Sequence, residues 1–254
     1  MPKTPLNEKK RWNEIAPTYN DEIFDVFQSD KWGVLPRYFK KHWNKNHIAI
    51  DFGCGNGKAL RFLAPYFKHV YGADISQGLL DQAAKLGYEN VTLLQKDLAV
   101  PSLKMKKADF LFCCNVAILS DVALNNRLIK NASKVLKPRG TALFVIPSIE
   151  SVLFSSWRLI DWYKREGVEA NEIEDDEISG FRPKKHEIIQ GLININGVLT
   201  KHYTAPEIDV VFSKAGFTIT SIDRVEYDWN SEFASPPSWM KEPYPWDWLV
   251  ECTI

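Results

Sequence analysis

Residues 48–57, Ile48-Ala49-Ile50-Asp51-Phe52-Gly53-Cys54-Gly55-Asn56-Gly57, decide how the chain is read. A short apolar run passes directly into a turn with glycine at every second position. Glycines so placed let the backbone take positive φ and approach a ligand more closely than a side chain would allow. The helix that follows points its N-terminal N–H groups at that ligand. This is the turn of a doubly wound α/β domain, and the other segments can be set around it. The dinucleotide fingerprint G-x-G-x-x-G requires a glycine at 58, where Lys58 stands, so a nicotinamide cofactor is disfavoured. The spacing is D-x-G-x-G-x-G, with Asp51 two residues before the first glycine. An acid there repels a pyrophosphate and suits a ligand carrying an ammonium group.

Two further apolar runs close on acids. Val70-Tyr71-Gly72-Ala73-Asp74-Ile75-Ser76 ends about 20 residues on, where a carboxylate accepts ribose hydroxyls. Val91-Thr92-Leu93-Leu94-Gln95-Lys96-Asp97-Leu98 is the third. The set resembles the motifs of the class I S-adenosylmethionine-dependent methyltransferases. That resemblance implies S-adenosylmethionine as cofactor, with S-adenosylhomocysteine as product. Asp51, Gly53, Cys54 and Gly55 would lie at the methionine part, Asp74 and Ile75 at the ribose, and Asp97 and Leu98 at the adenine. Asn115, ending a fourth apolar strand from Ala108, would lie near the transferred methyl, although Asn also suits a plain strand terminator. Many members carry a histidine shortly afterwards; here the chain reads Val116-Ala117-Ile118-Leu119-Ser120-Asp121.

The 254 residues suffice for one α/β domain with an elaboration. Lys and Arg number 32 against 32 Asp and Glu, a net charge of zero. Nucleic-acid enzymes draw much of their affinity from phosphate neutralisation, so this balance argues against that partner, the local patch Lys104-Met105-Lys106-Lys107 notwithstanding. Cys54, Cys113, Cys114 and Cys252 make no C-x-x-C pair and read as small buried hydrophobes, with no metal site. No run reaches the length of a membrane span, and a soluble cytoplasmic protein is the expectation.

In chain order, residues 1–47 read as an N-terminal helical cap. A polar, frayed start leads to a helical pattern over Arg11–Phe27 broken at Pro17, then a helix near Trp32–Trp43. In the resembling family such a segment folds over the methyl end of the cofactor, which draws notice to Tyr19. Aromatics at helical spacing also suit packing onto the sheet. Residues 48–147 form the cofactor-binding core. Within it, helices are expected over Lys58–Tyr66, from the Ser76 cap to Gly87, and over 122–136, and Lys137-Pro138-Arg139-Gly140 turns into the fifth strand, Thr141–Pro147.

Residues 148–203 read as a lid or insertion after strand five. They hold a helix over Val152–Arg165, an acidic run Glu169–Glu177 and a basic run Arg182–His186. Charge runs suit a solvated face, but the position lies on the ligand side. Residues 204–254 complete the core. Thr204 with Glu207 forms a capping box, Thr218–Trp229 is the sixth strand, and Trp246–Ile254 is a seventh, antiparallel, inserted between five and six. The fold class is therefore α/β, a seven-stranded doubly wound, mostly parallel sheet with an antiparallel seventh strand and a lid. The proline-stiffened loop Ser235–Pro245 carries Trp239 to the ligand side.

No triad or metal motif is visible, and none is required. A sulfonium is already a good leaving group, and holding the acceptor in line within a water-poor pocket supplies most of what is needed. Tyr19 and His202 are candidate bases, with His186 a further one; Tyr19, Tyr203 and Trp239 are candidate substrate contacts. The expected activity is methyl transfer to a small molecule. The alternatives are a protein or RNA methyltransferase, or a module that binds the cofactor without turnover.

Overall fold

A computed structural model describes residues 5–174, 177, 184–195 and 197–254. Among the described residues there are nine strands: β1 (Asn44–Phe52), β2 (Phe67–Asp74), β3 (Val91–Gln95), β4 (Ala108–Cys114), β5 (Leu136–Pro147), β6 (Leu192–Ile195), β7 (Val198–Lys201), β8 (Thr218–Glu226) and β9 (Trp246–Thr253). The helices are α1 (Pro5–Ile15), α2 (Tyr19–Glu22), α3 (Val26–Ser29), α4 (Val34–His42), α5 (Leu60–Leu63), α6 (Gln77–Ala84), α7 (Val122–Lys134), α8 (Ile149–Arg165), α9 (Lys185–Ile189) and α10 (Ala205–Ala215).

Seven strands form one sheet in the order β3-β2-β1-β4-β5-β9-β8. The first five run parallel, and β9 is antiparallel to both β5 and β8, as the family resemblance implied. The near-continuous apolar text of β4 and β5 follows from cover on both faces. On one face Leu111, Phe144, Trp248 and Val250 pack with Leu128 and Ile129 of α7 and Phe212 of α10. On the other, Phe110, Phe112, Val145 and Leu249 pack with Leu35 and Phe39 of α4. The four cysteines are free thiols, three of them buried.

The expected caps are made by side chains. Ser76 accepts from the Leu79 N–H, Thr204 accepts from that of Glu207, and Gly216 ends α10 at φ 93°. Glu207 does not complete the box, because Lys201 Nζ holds its carboxylate at 2.7 Å.

Some local readings change. The start is helical from Pro5, where α1 packs against α6, and the broken pattern resolves into α1, a 3-10 turn at Ala16–Thr18, α2 and α3. The helix after the glycine turn spans only Leu60–Leu63, and Leu136–Gly140 belongs to β5 as an irregular start in which Arg139 takes φ 65°. Val198–Lys201 is extended and pairs with β6 in a separate two-stranded ribbon. The sixth strand of the main sheet stops at Glu226. Parts of the acidic and basic runs, residues 175–176, 178–181, Arg182 and Pro183, lie outside the described residues. Among the described residues no helix is long and apolar enough to cross a membrane.

Candidate active site

The strand order reverses between β1 and β4, and a cleft of about 790 Å³, open to solvent, lies at the C-terminal ends of β1, β2 and β4. The glycine turn forms one wall. The N–H groups of Gly53 and Cys54 both donate to the Ala73 carbonyl, at 2.8 and 3.0 Å, which ties the turn to the end of β2. Gly55 and Gly57 take φ 52° and 89°. A Cβ on Gly55 would stand 2.9 Å from the Tyr19 hydroxyl, so the N-terminal segment closes tightly over the turn.

Asp74 sits where β2 ends. One carboxylate oxygen accepts the Gly55 N–H at 2.9 Å and the other accepts the Ser76 N–H at 2.9 Å. Burial raises its pKa against these backbone donors. Asp51 lies beneath the turn, 2% exposed, with one carboxylate oxygen buried and unpartnered. Burial, and then repulsion from Asp74, pushes it up to about 8. A cationic group delivered to this corner would answer both acids. Burial followed by the Asp74 charge also raises the Tyr19 hydroxyl well above its ordinary value, which keeps it a neutral donor.

The opposite end of the cleft is apolar. Ile75, Leu98 and Ala99 face Leu119, with Leu124 and Leu128 of α7 behind. Asp97 lies at its rim and accepts the Ala99 N–H at 2.8 Å. Asn115, at φ 54°, lines the cleft at the end of β4 with its side-chain oxygen unpartnered.

Gly53, Gly55, Asp74, Ile75, Asp97, Leu98, Asn115 and Tyr19 thus share one cleft, while Asp51 and Cys54 lie buried directly behind its wall. His202, Tyr203 and Trp239 do not line it. His202 is 6% exposed, its Nδ1 lies 3.0 Å from the Thr200 carbonyl, and burial lowers its pKa to about 4. Tyr203 is a core residue whose hydroxyl donates to the Ala117 carbonyl at 2.7 Å. Trp239 is stacked beneath Arg165 at 4.2 Å and Arg158 at 5.1 Å. His186 is exposed on α9. Reading the sequence alone overlooked Leu124 and Leu128, whose one-turn spacing on α7 was a usable signal. It also overlooked Asp247, an acid inside the apolar run of β9.

Residues 49–140 match the methyltransferase domain family. That match covers the glycine turn and the first strands of the sheet, so the core of the chain is similar to methyltransferase domains. A protein of Dictyostelium discoideum named as a methyltransferase is 38% identical over 77 residues, 30% of this chain and 25% of that one. A Saccharomyces cerevisiae protein named as an S-adenosylmethionine-dependent methyltransferase is 27% identical over 156 residues, 57% of this chain and 48% of that one. The matched stretch therefore spans between a quarter and about half the length of these relatives. Among solved structures, the DhpI-SAM-HEP complex superimposes with a TM-score of 0.63 at 13% identity, covering 97% of this chain and 95% of that one. That likeness is one of fold.

Proposed function

We propose that this chain binds S-adenosylmethionine in the cleft and transfers its methyl group to a small-molecule acceptor. The observation that carries the reading is the corner made by Asp74, the Gly55 N–H and the unpartnered Asp51 oxygen. It offers buried carboxyl groups without a matching protein cation, and a ligand bearing an ammonium and a sulfonium would favour their charged forms. The apolar far end suits a flat heteroaromatic ring.

In this reading Asp51 and the Gly53–Gly55 backbone hold the methionine part, Asp74 with Ile75 the ribose, and Asp97 with Leu98 the adenine. The bound cofactor supplies an activated methyl on a sulfonium. The chain's own contribution is to orient the acceptor, exclude water and accept a proton where one is lost. Tyr19 covers the glycine turn, its hydroxyl lying against Gly55. Residues 148–203 are proposed as the acceptor-side elaboration, since α8 leaves the C-terminal end of β5. The neutral overall charge supports a small acceptor over a nucleic acid.

The test is a thermal-shift scan with S-adenosylmethionine, S-adenosylhomocysteine and NADH, with Asp74→Ala as control. A ligand of the folded state adds about 2.7 kcal/mol at 100 times its dissociation constant. The expected result is a shift with the first two compounds only, lost in the variant. Protection by NADH alone, or by none of the three, would sink the reading.

A further inference from the structure

The last strands bring a second polar group of side chains to the edge of this cleft. Asp247 opens β9 opposite Pro147, where β5 ends. The Tyr227 hydroxyl donates to it at 2.8 Å, and the side chain of Asn115, itself on the cleft wall, lies beside it and favours its charged form. Burial pushes Asp247 up to about 6 against these two neighbours. Glu232, just past the 3-10 turn Trp229–Ser231, is exposed as a residue, but its carboxyl is partly desolvated on the Asp247 side, and that desolvation and then the Asp247 charge raise its pKa. The Cys114 thiol faces Asp247 as well. Arg158 of α8 lies over the Trp229 ring at 5.7 Å, its charge met by Asp161 at 3.5 Å.

A second observation comes from unsatisfied polar atoms. Asn115 Oδ1, Ser155 Oγ, Arg158 Nε, Ser231 Oγ and Trp246 Nε1 are all buried without a hydrogen bond, and all lie on α8, the Trp229 turn or the adjoining strand ends. Ser155 is 5% exposed, and its hydroxyl points towards Glu232 without completing a bond. Buried polar groups are normally satisfied, so a concentration of unpaired ones marks a surface shaped for a polar ligand. The aromatic wall is continuous: Phe154 lies 5.7 Å from Trp229 and 6.1 Å from Trp246.

We infer that Asp247 and Glu232 receive an acceptor carrying a basic amine on an apolar or aromatic body, and that Asp247 is the base for its methylation. The inference rests on the methyltransferase reading and names its substrate class. Two carboxylates facing each other repel a carboxylate or phosphate and are both answered by an ammonium, which aromatic faces also favour. Asn115 joins the two regions, so an amine held by Asp247 is held beside the methyl end of the cleft. The ammonium gives one proton to Asp247. The freed nitrogen lone pair forms the N–CH₃ bond as the S–CH₃ bond breaks, the bonding pair stays on sulfur as a thioether, and the product leaves as a methylammonium.

The experiment is calorimetric titration of the full chain, loaded with S-adenosylhomocysteine, with phenethylamine, tryptamine and cyclohexylmethylamine, and with the carboxylic acid counterpart of each. At least one amine is expected to bind, its acid counterpart not. Asp247→Asn should weaken amine binding about thirtyfold or more, as loss of a buried charge partner does. Glu232→Gln, a second variant should the first fail to fold, should weaken it in the same direction, and both should leave S-adenosylhomocysteine affinity unchanged. Wild-type amine affinity should fall as pH drops through about 6, with Tyr227, Cys114 and Glu232 the other titratable groups facing Asp247. Acids binding as well as amines, no amine binding, or variants that keep the selectivity would overturn the inference alone. Failure of S-adenosylhomocysteine to bind the wild type would remove the methyltransferase reading and the inference together.

Discussion

The Tyr19 hydroxyl rests against Gly55, 2.9 Å from where a Cβ on that glycine would stand, so the N-terminal segment and the glycine turn form one closed surface. Gly55→Ala meets two costs, a side chain at φ 52° and the collision with Tyr19. A left-handed non-glycine residue costs about 1–2 kcal/mol. The expected outcome is a loss of that size or larger in denaturant unfolding, with weaker S-adenosylmethionine binding. Part of the loss should return when Tyr19→Ala is added, and a strictly additive double-mutant cycle would refute the contact.

Asp51 makes the protein's stability fall as pH rises. Its folded value of about 8 lies above the ordinary 3.8, so between the two the native state holds a proton that the unfolded state has lost. Asp51's contribution is complete below the unfolded value and is lost as pH climbs through the folded one. Asp51→Asn should therefore raise the melting temperature, by an amount that grows with pH until about 8. Binding of S-adenosylmethionine at pH 7 should release this proton, seen as heats that depend on the ionisation enthalpy of the buffer. Buffer-independent heats would count against a cation at Asp51.

How much of this was legible beforehand follows from which interactions are local. The glycine turn, the acids at 51, 74 and 97 and the Ser76 and Gly216 caps are decided within a few residues, and the antiparallel final strand followed from the family resemblance. His202 and Tyr203 were misplaced because their surroundings come from far away: Gly191 accepts the His202 N–H at 2.7 Å, and Ala117 accepts the Tyr203 hydroxyl. Trp239 read as a rim residue because the arginines that cover it lie on α8, more than 70 residues earlier. Asp247 gains its setting only when Asn115, Tyr227 and Glu232 are brought together by the sheet.

Lys201 is a buried ion-pair partner. It is 0% exposed, and its ammonium is held by Glu207 at 2.7 Å and the His202 carbonyl at 2.8 Å. Lys201→Ala should destabilise by about 3–5 kcal/mol, the range for breaking one side of a buried pair. Lys201→Met, which keeps most of the volume, should cost less. Equal losses, read from urea midpoints, would mean that charge rather than packing decides at this site.

Glu251 anchors α4 to the sheet. It is 4% exposed, with Lys41 Nζ at 2.7 Å and His42 Nε2 at 2.6 Å. Burial opposes its ionisation, but the bonds from Lys41 and His42 outweigh burial and lower its pKa. A lowered carboxylate stabilises above its ordinary value of 4.5, and the gain is lost as pH falls through the folded value. Glu251→Gln should lower the melting temperature at neutral pH and converge on wild type in acid. A gap that persists at about pH 3, below the usual carboxylate range, would rule out this origin.

The position of β9 also bears on how the protein comes to be made. It follows the other eight described strands in the sequence, yet it fills the gap between β5 and β8. Until it emerges from the ribosome, β5 is an open apolar edge and β8 has no strand to pair with. Bare edges of this kind recruit other chains. A nascent or prematurely terminated product would thus expose the sheet at its most hydrophobic seam, and a stop anywhere before Trp246 should yield aggregation rather than a smaller working protein.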